Sequence, residues 1–290
     1  MVNIYNEPDS VKLIEEIHGY IDFLEKNLCF KNARIGKINK WIEKLNDNSM
    51  SISDKSIYLW QINRYHRILG VIKSHHEYIS SETIRKILKG GCDDLKGEHD
   101  NYFFEIDILQ RVVSGKCFNK RKFSINLKEQ TDIVLGNTIF IECKKVGSRK
   151  ALESNIRDAN KQLKKLKPKQ FGIVALDISD VMKEHVDKLI DNYKYRLYLD
   201  QNRKLTPEEL SKLNFELELK MTEEYDDIRL KLKKFDFNFD KRIIGLIFQT
   251  ENLIPRRKSF ISLRSAKYDT YRLTEWLDYL LEPDDLSKQA

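Results

Sequence analysis

Residues 131–145 read TDIVLGNTIFIECKK, and the way this stretch folds decides how the rest of the chain is read. Thr131–Leu135 and Thr138–Val146 are short β-like runs. Gly136-Asn137 between them tolerates positive φ and signals a two-residue hairpin. Counting outward from that turn sets Leu135 opposite Thr138 and Asp132 opposite Ile141, one position from Glu142. Either twist or a bulge brings the two carboxylates together, or the true register lies one residue off this count. Glu142 and Lys144 lie two apart on one strand and therefore share a face. Around them stand Ile133, Val134, Ile139, Phe140 and Ile141. Two acids and a lysine in so apolar a hairpin are costly unless they pair with one another or bind a cation.

The flanking sequence extends the pattern. Tyr102–Val113 predicts a helix that Phe103, Phe104, Ile106, Ile108 and Leu109 nearly encircle, and Phe123–Leu127 predicts a further strand. Arg149–Lys167 predicts a basic helix ended by Pro168, with Leu152, Ile156, Ala159, Leu163 and Leu166 as its buried stripe. Phe171–Asp177, FGIVALD, suits a buried central strand, and Arg242–Phe248 another. Helices are expected at about 180–196 and from Pro207, where Thr206-Pro207-Glu208-Glu209 forms a capping box, and finally over Leu273–Leu281. This order predicts an α/β domain with a mixed central sheet.

Residues 1–96 read as helical throughout. Asp9 or Ser10 can cap a helix carrying Val11, Leu13, Ile14, Ile17, Ile21 and Leu24. Ser56–Tyr78 repeats the pattern with Tyr58, Ile62, Tyr65, Leu69 and Ile72, and a short helix from Ser80 or Ser81 stops at Gly90-Gly91. The expected organisation is a helical N-terminal domain over 1–96 and an α/β domain over 97–250 with a helical insertion at about 180–240. A helical extension follows over 251–290.

Composition narrows the class. The chain has 290 residues, 41% hydrophobic and 33% charged, with 11 Gly and 5 Pro, which excludes collagen-like and low-complexity chains. No apolar stretch approaches the ~20 residues a membrane helix needs. The N-terminus MVNIYNEPDSVKLIEE is acidic where a signal peptide is basic, so a soluble, cytoplasmic protein is expected, with no membrane partner. Cys29, Cys92, Cys117 and Cys143 form no CxxC pair, and the adjacent His75-His76 has no metal-ligand spacing.

Net charge is +7, from 52 Lys+Arg against 45 Asp+Glu, and it is concentrated. Between Cys143 and Gln170 ten basic residues face only Glu153 and Asp158, a net of +8 that leaves the remainder of the chain at −1. Lys145, Arg149, Lys150, Arg157, Lys161, Lys164 and Lys165 are the candidate nucleic-acid contacts, the last five lying off the apolar stripe. A solvated helix face accounts equally well for the run alone.

The chemistry that employs Asp132, Glu142 and Lys144 together is metal-assisted hydrolysis of a phosphodiester. Two carboxylates and a backbone carbonyl such as that of Cys143 offer the hard oxygen ligands Mg²⁺ prefers, with Mn²⁺ expected to substitute. Lys144 would position the attacking water or stabilise charge on the phosphorane. The plainer account is a buried lysine–carboxylate ion pair.

Asp132 followed after a turn by Ile139-Phe140-Ile141-Glu142-Cys143-Lys144 resembles the D…(D/E)XK signature of the PD-(D/E)XK phosphodiesterase superfamily, which includes restriction endonucleases. Thr131 replaces the family's usual proline. The family's helix-β-β-β-helix-β order is the one read over residues 100–177, and the resemblance covers about 80 residues. It implies a restriction-endonuclease-like mixed sheet flanked by helices, beside the all-helical N-terminal domain. It also implies that Glu105 on the preceding helix joins the metal site, and that Gln162 on the following helix supports it.

The reading is therefore a Mg²⁺-dependent nuclease, with DNA as the preferred substrate. The resemblance implies a role in phage defence, restriction or repair. The N-terminal helices are available for a protein partner, and a homodimer is compatible with the sequence. The alternatives are a non-catalytic nucleic-acid-binding subunit on a nuclease-like fold, an RNA- or structure-specific nuclease, and a helical interaction protein whose basic segment is incidental.

Overall fold

The computed structural model describes residues 2–5, 10–28, 35–47, 49–50, 52–77, 99–113, 125–126, 132–136, 138–184, 242–255 and 260–270, with single positions at 79, 81 and 84 and scattered ones from 187 to 230. The short helix expected from Ser80 to Gly90-Gly91 and the terminal helix over Leu273–Leu281 lie largely or wholly outside the described residues. Two units organise the chain. One comprises Met1–Lys73, Ile178–Phe237 and Gln249–Lys267; the other comprises Ser74–Asp177, Asn238–Phe248 and Tyr268–Ala290.

The second unit holds the quoted hairpin. Its elements are helix α4 (His99–Val113), strands β2 (Ile125–Asn126), β3 (Ile133–Leu135) and β4 (Ile139–Lys145), helix α5 (Arg149–Leu163) and strand β5 (Phe171–Asp177). Strand β6 (Ile243–Pro255) begins in the same unit. The sheet order here is β6-β5-β4-β3-β2. β2 pairs antiparallel with β3, β3 antiparallel with β4, and β4 parallel with β5. This is a mixed sheet flanked by helices, an α/β architecture. The Gly172 N–H donates to Arg242 O at 2.9 Å, and the Ile178 N–H donates to Gln249 O at 2.8 Å. These bonds advance together along both chains, so β6 runs with β5.

Parallel strands cannot be joined by a hairpin, so β4 and β5 need a crossover, which α5 supplies. Ser148 caps it, its Oγ accepting from the Ala151 N–H at 3.2 Å. Leu152, Ile156, Ala159 and Leu163 recur at helical spacing and are buried, as the sequence predicts. The helix stops at Leu163 rather than Lys167, because the chain tightens there: the Lys165 N–H donates to Gln162 O and the Leu166 N–H to Leu163 O. A turn follows in which Lys169 adopts φ 70 after Pro168, the left-handed position that glycine favours and that strains a lysine by about 1–2 kcal/mol. Gly172 has no Cβ to spare: one built there would lie 2.9 Å from Leu163 Cδ1, so α5 rests directly on β5.

The first unit contains helices α1 (Ser10–Leu28), α2 (Ile35–Asn46) and α3 (Ile52–His75). Leu13, Ile17, Ile21 and Leu24 of α1 are buried, as are Ile62, Tyr65, Leu69 and Ile72 of α3, whereas Ile14 and Tyr58 of the expected stripes are only partly buried. His66 bonds Glu16 at 2.6 Å, and Arg67 donates to Glu251 at 2.7 Å. The predicted capping box is present: the Thr206 N–H donates to Glu209 Oε2 and the Glu209 N–H to Thr206 Oγ1.

Two expectations are corrected. The N-terminal region is not all helical, since β1 (Val2–Tyr5) pairs antiparallel with β7 (Phe260–Thr270). The region 251–290 does not open as a helix, since β6 runs to Pro255 and β7 follows. A four-residue strand whose partner lies far along the chain has no local signature, and a hydrophobic pattern alone does not separate a long strand from a helix. Among the described residues no helix is long and apolar enough to cross a membrane.

Candidate active site

The hairpin differs from its predicted register by one residue, and the difference bears on the site. Ile133 stands opposite Ile141, Val134 opposite Phe140 and Leu135 opposite Ile139. Thr138 stays outside the ladder, its N–H donating to Leu135 O at 3.1 Å, so the last ladder pair is Leu135 with Ile139. Gly136 supplies the left-handed residue, at φ 56. One step beyond Ile133, Asp132 comes opposite Glu142. No bulge is needed to bring the acids together.

Asp132 Oδ2 accepts from the Cys143 N–H at 2.6 Å, which fixes the carboxylate against β4. Lys144 Nζ donates to Glu142 Oε1 at 2.5 Å, as the shared face of the two residues requires. Glu142 is 1% exposed and Lys144 24%. The other carboxylate oxygen, Glu142 Oε2, is buried and has no hydrogen-bond partner. The face is the one under α5: Phe140 pairs with Gly172 and Glu142 with Val174, and Gly172 meets Leu163.

The electrostatics follow from that placement. Burial, and then the neighbouring Asp132 charge, push the Glu142 carboxyl up to about 7, although Lys144 opposes the rise. Burial likewise raises Asp132, against the Cys143 hydrogen bond and Lys144. Burial works against the Lys144 ammonium, but the hydrogen bond and charge of Glu142, with the charge of Asp132, outweigh it and hold the group above its ordinary value. Burial, with Asp132, Glu105 and Glu142, drives the Cys143 thiol well upward, so it is a protonated bystander rather than a nucleophile.

Asp132, Glu142, Cys143 and Lys144 are thus brought together. Glu105 is partly buried on α4, which packs on β4, and its charge is felt at Cys143. The more deeply buried acid of that helix is Asp107, 4% exposed. Gln162 projects from the flank of α5, its Oε1 buried without a hydrogen-bond partner. Of the basic residues, Lys145 is partly buried, whereas Arg149, Lys150, Arg157, Lys161, Lys164 and Lys165 are exposed. Arg157 pairs with Glu153, and Lys161 with Asp158 at 3.1 Å. Because α5 runs back from the Lys145 end of β4 to the Phe171 end of β5, Lys161, Lys164 and Lys165 lie toward the far end of the helix and not at the mouth of the site.

A divalent cation fits these residues. An orphaned, buried carboxylate oxygen, on a residue opposite a second carboxylate in the hairpin, is what such an ion would satisfy. Among the described residues no group of three or more His, Cys, Asp or Glu side chains could hold a metal ion. Mg²⁺ does not need one, since it is commonly held by one or two carboxylates together with waters and substrate phosphate. Compared with protein-family models, curated proteins and solved structures, the chain gave no match.

Proposed function

We propose that the protein is a metal-dependent nuclease acting on DNA, built on a restriction-endonuclease-like version of this mixed sheet. The observation that carries the reading is Glu142: buried, its Oε2 unpartnered, opposite Asp132 and bonded to Lys144. Asp132 and Glu142 would hold Mg²⁺ with the Cys143 carbonyl, and the ion when bound would polarise the scissile phosphate and acidify water. Asp132 keeps its orientation through the Cys143 N–H. Lys144, protonated throughout the neutral range, offers its Nζ to the negative charge that develops on phosphorus. The exposed cations of α5 attract the phosphate backbone. A role in defence, restriction or repair belongs to the same proposal.

The test is cleavage of plasmid and linear DNA with and without Mg²⁺, alongside a calorimetric metal titration. Mg²⁺-dependent cleavage lost in Asp132→Asn supports the reading, and inert protein that binds no metal overturns it. The lack of a third acidic side chain among the described residues favours one rival, a non-catalytic nucleic-acid-binding subunit. That protein would bind DNA equally well without metal and leave it intact.

A further inference from the structure

We propose that the basic turn closing α5 is a remote contact for the phosphate backbone of duplex DNA. A productive substrate would then extend about six base pairs away from the Glu142–Lys144 end of the sheet. The choice of duplex DNA rests on the nuclease reading; the surface itself does not.

Lys164, Lys165, Lys167 and Lys169 are all exposed, and no acidic side chain pairs with them among the described residues. This contrasts with Arg157 and Lys161 earlier on the helix, each matched to an acid. The backbone that carries the four lysines is fixed. The Arg242 guanidinium donates to Leu166 O and to Lys164 O, and the Lys167 N–H donates to Gln170 Oε1 at 2.7 Å. The Gln170 N–H donates back to Lys167 O at 3.1 Å. Within this turn Lys169 occupies the left-handed conformation, where glycine would sit without strain. A charged side chain kept at a strained position points to a use for the charge.

The spacing selects the partner. α5 has 15 residues, so its two ends stand about 20 Å apart at ~1.5 Å per residue. Lys144, Arg149 and Lys150 mark one end and residues 164–169 the other. A compact anion reaches one end only. A duplex carries phosphates continuously at ~3.4 Å per base pair and spans both in about six base pairs.

The experiment uses the full chain in Mg²⁺-free buffer, with DNA hairpins whose stems are roughly 3 and 20 base pairs, the shorter unable to bridge the two ends of α5. Replacing Lys164, Lys165, Lys167 and Lys169 by glutamine should weaken binding of the long stem about tenfold near 0.1 M salt and flatten the salt slope by up to about four units. Binding of the short stem should change little. Lys169→Gly gives the opposite sign in two readouts: melting at or above that of the parent, with a salt slope lower by about one unit. Equal long-stem affinity in parent and quadruple variant overturns the proposal. So does polyglutamate of equal charge binding the parent as tightly as the stem. A parent that binds by stem length yet cuts nothing with Mg²⁺ loses the nuclease reading alone and keeps this surface.

Discussion

Asp132 accepts the Cys143 amide proton at 2.6 Å, and this one bond ties the end of β3 to the strand that carries Glu142 and Lys144. The carboxylate thereby serves two ends, orientation of its own oxygens and satisfaction of a backbone donor. The first prediction separates them.

Asp132→Asn keeps an acceptor for the Cys143 N–H and removes a charge that repels Glu142, so its melting temperature should lie at or above that of the parent. Mg²⁺-supported cleavage should fall by more than the roughly 10–100-fold that loss of an outer-shell partner costs a metal site. Asp132→Ala also strands the Cys143 N–H, at about 1–3 kcal/mol, partly offset by relief at Glu142. Melting and cleavage measured on both variants decide the matter. Full activity in Asp132→Asn excludes Asp132 as a ligand.

Glu142 makes stability depend on pH. Its folded pKa of about 7 lies above the ordinary carboxyl value of 4.5, so the folded chain holds this proton more tightly than the unfolded one. The stabilisation is fully present below about pH 4.5 and lost as pH rises through 7, amounting to about 3 kcal/mol across the window. Glu142→Gln should abolish that slope and be more stable than the parent at pH 8 without metal. Mg²⁺ should stabilise the parent increasingly above pH 7, because it competes with the proton for the carboxylate. Chemical denaturation at pH 5, 7 and 8, with and without Mg²⁺, reads all three effects. A flat parent profile would show that Glu142 is not held protonated.

Lys144 and Lys145 project to opposite faces of β4, and their substitution should diverge. Lys144→Ala removes the partner of Glu142 Oε1 and should reduce cleavage by about 10²–10³-fold while lowering DNA affinity only modestly. Lys145→Ala should keep chemistry and lose at most one phosphate contact, about one unit of salt slope. Single-turnover rates at saturating DNA separate chemistry from binding. An essential Lys145 beside a dispensable Lys144 contradicts the observed register.

How much of this was legible follows from which interactions are local. The strands around Asp132 and Glu142, the stripe Leu152-Ile156-Ala159-Leu163 and the Thr206–Glu209 box rest on neighbours a few residues away, and periodicity reveals them. The hairpin register was not legible, because Gly136-Asn137 serves a two- or a three-residue loop and only the exclusion of Thr138 from the ladder distinguishes them. β1 and β7 lie about 260 residues apart, and such pairing leaves no local trace. The burial of Asp107 beyond Glu105 depends on how α4 is rotated against β4, which a helix apolar on nearly every side does not encode.

The contact between Leu163 and Gly172 offers a test of the scaffold that needs no assumption about activity. An alanine Cβ at Gly172 would meet Leu163 Cδ1 at 2.9 Å, Cδ2 at 3.1 Å and Cγ at 3.2 Å, and Leu163 is fully buried, so its side chain has little room to withdraw. Over-packing of this kind costs about 1–3 kcal/mol, against a smaller gain from replacing glycine within a strand. Gly172→Ala should therefore lower stability by about 1–2 kcal/mol. Leu163→Val alone should also destabilise, by roughly 1 kcal/mol for the lost methylene. Together the two changes exchange volume across one contact, so the double variant should be more stable than the sum of the singles implies, by about 0.5–1 kcal/mol or more. Simple additivity in denaturant unfolding would mean that α5 does not rest on β5 at this point, and the placement of its basic end would fail with it.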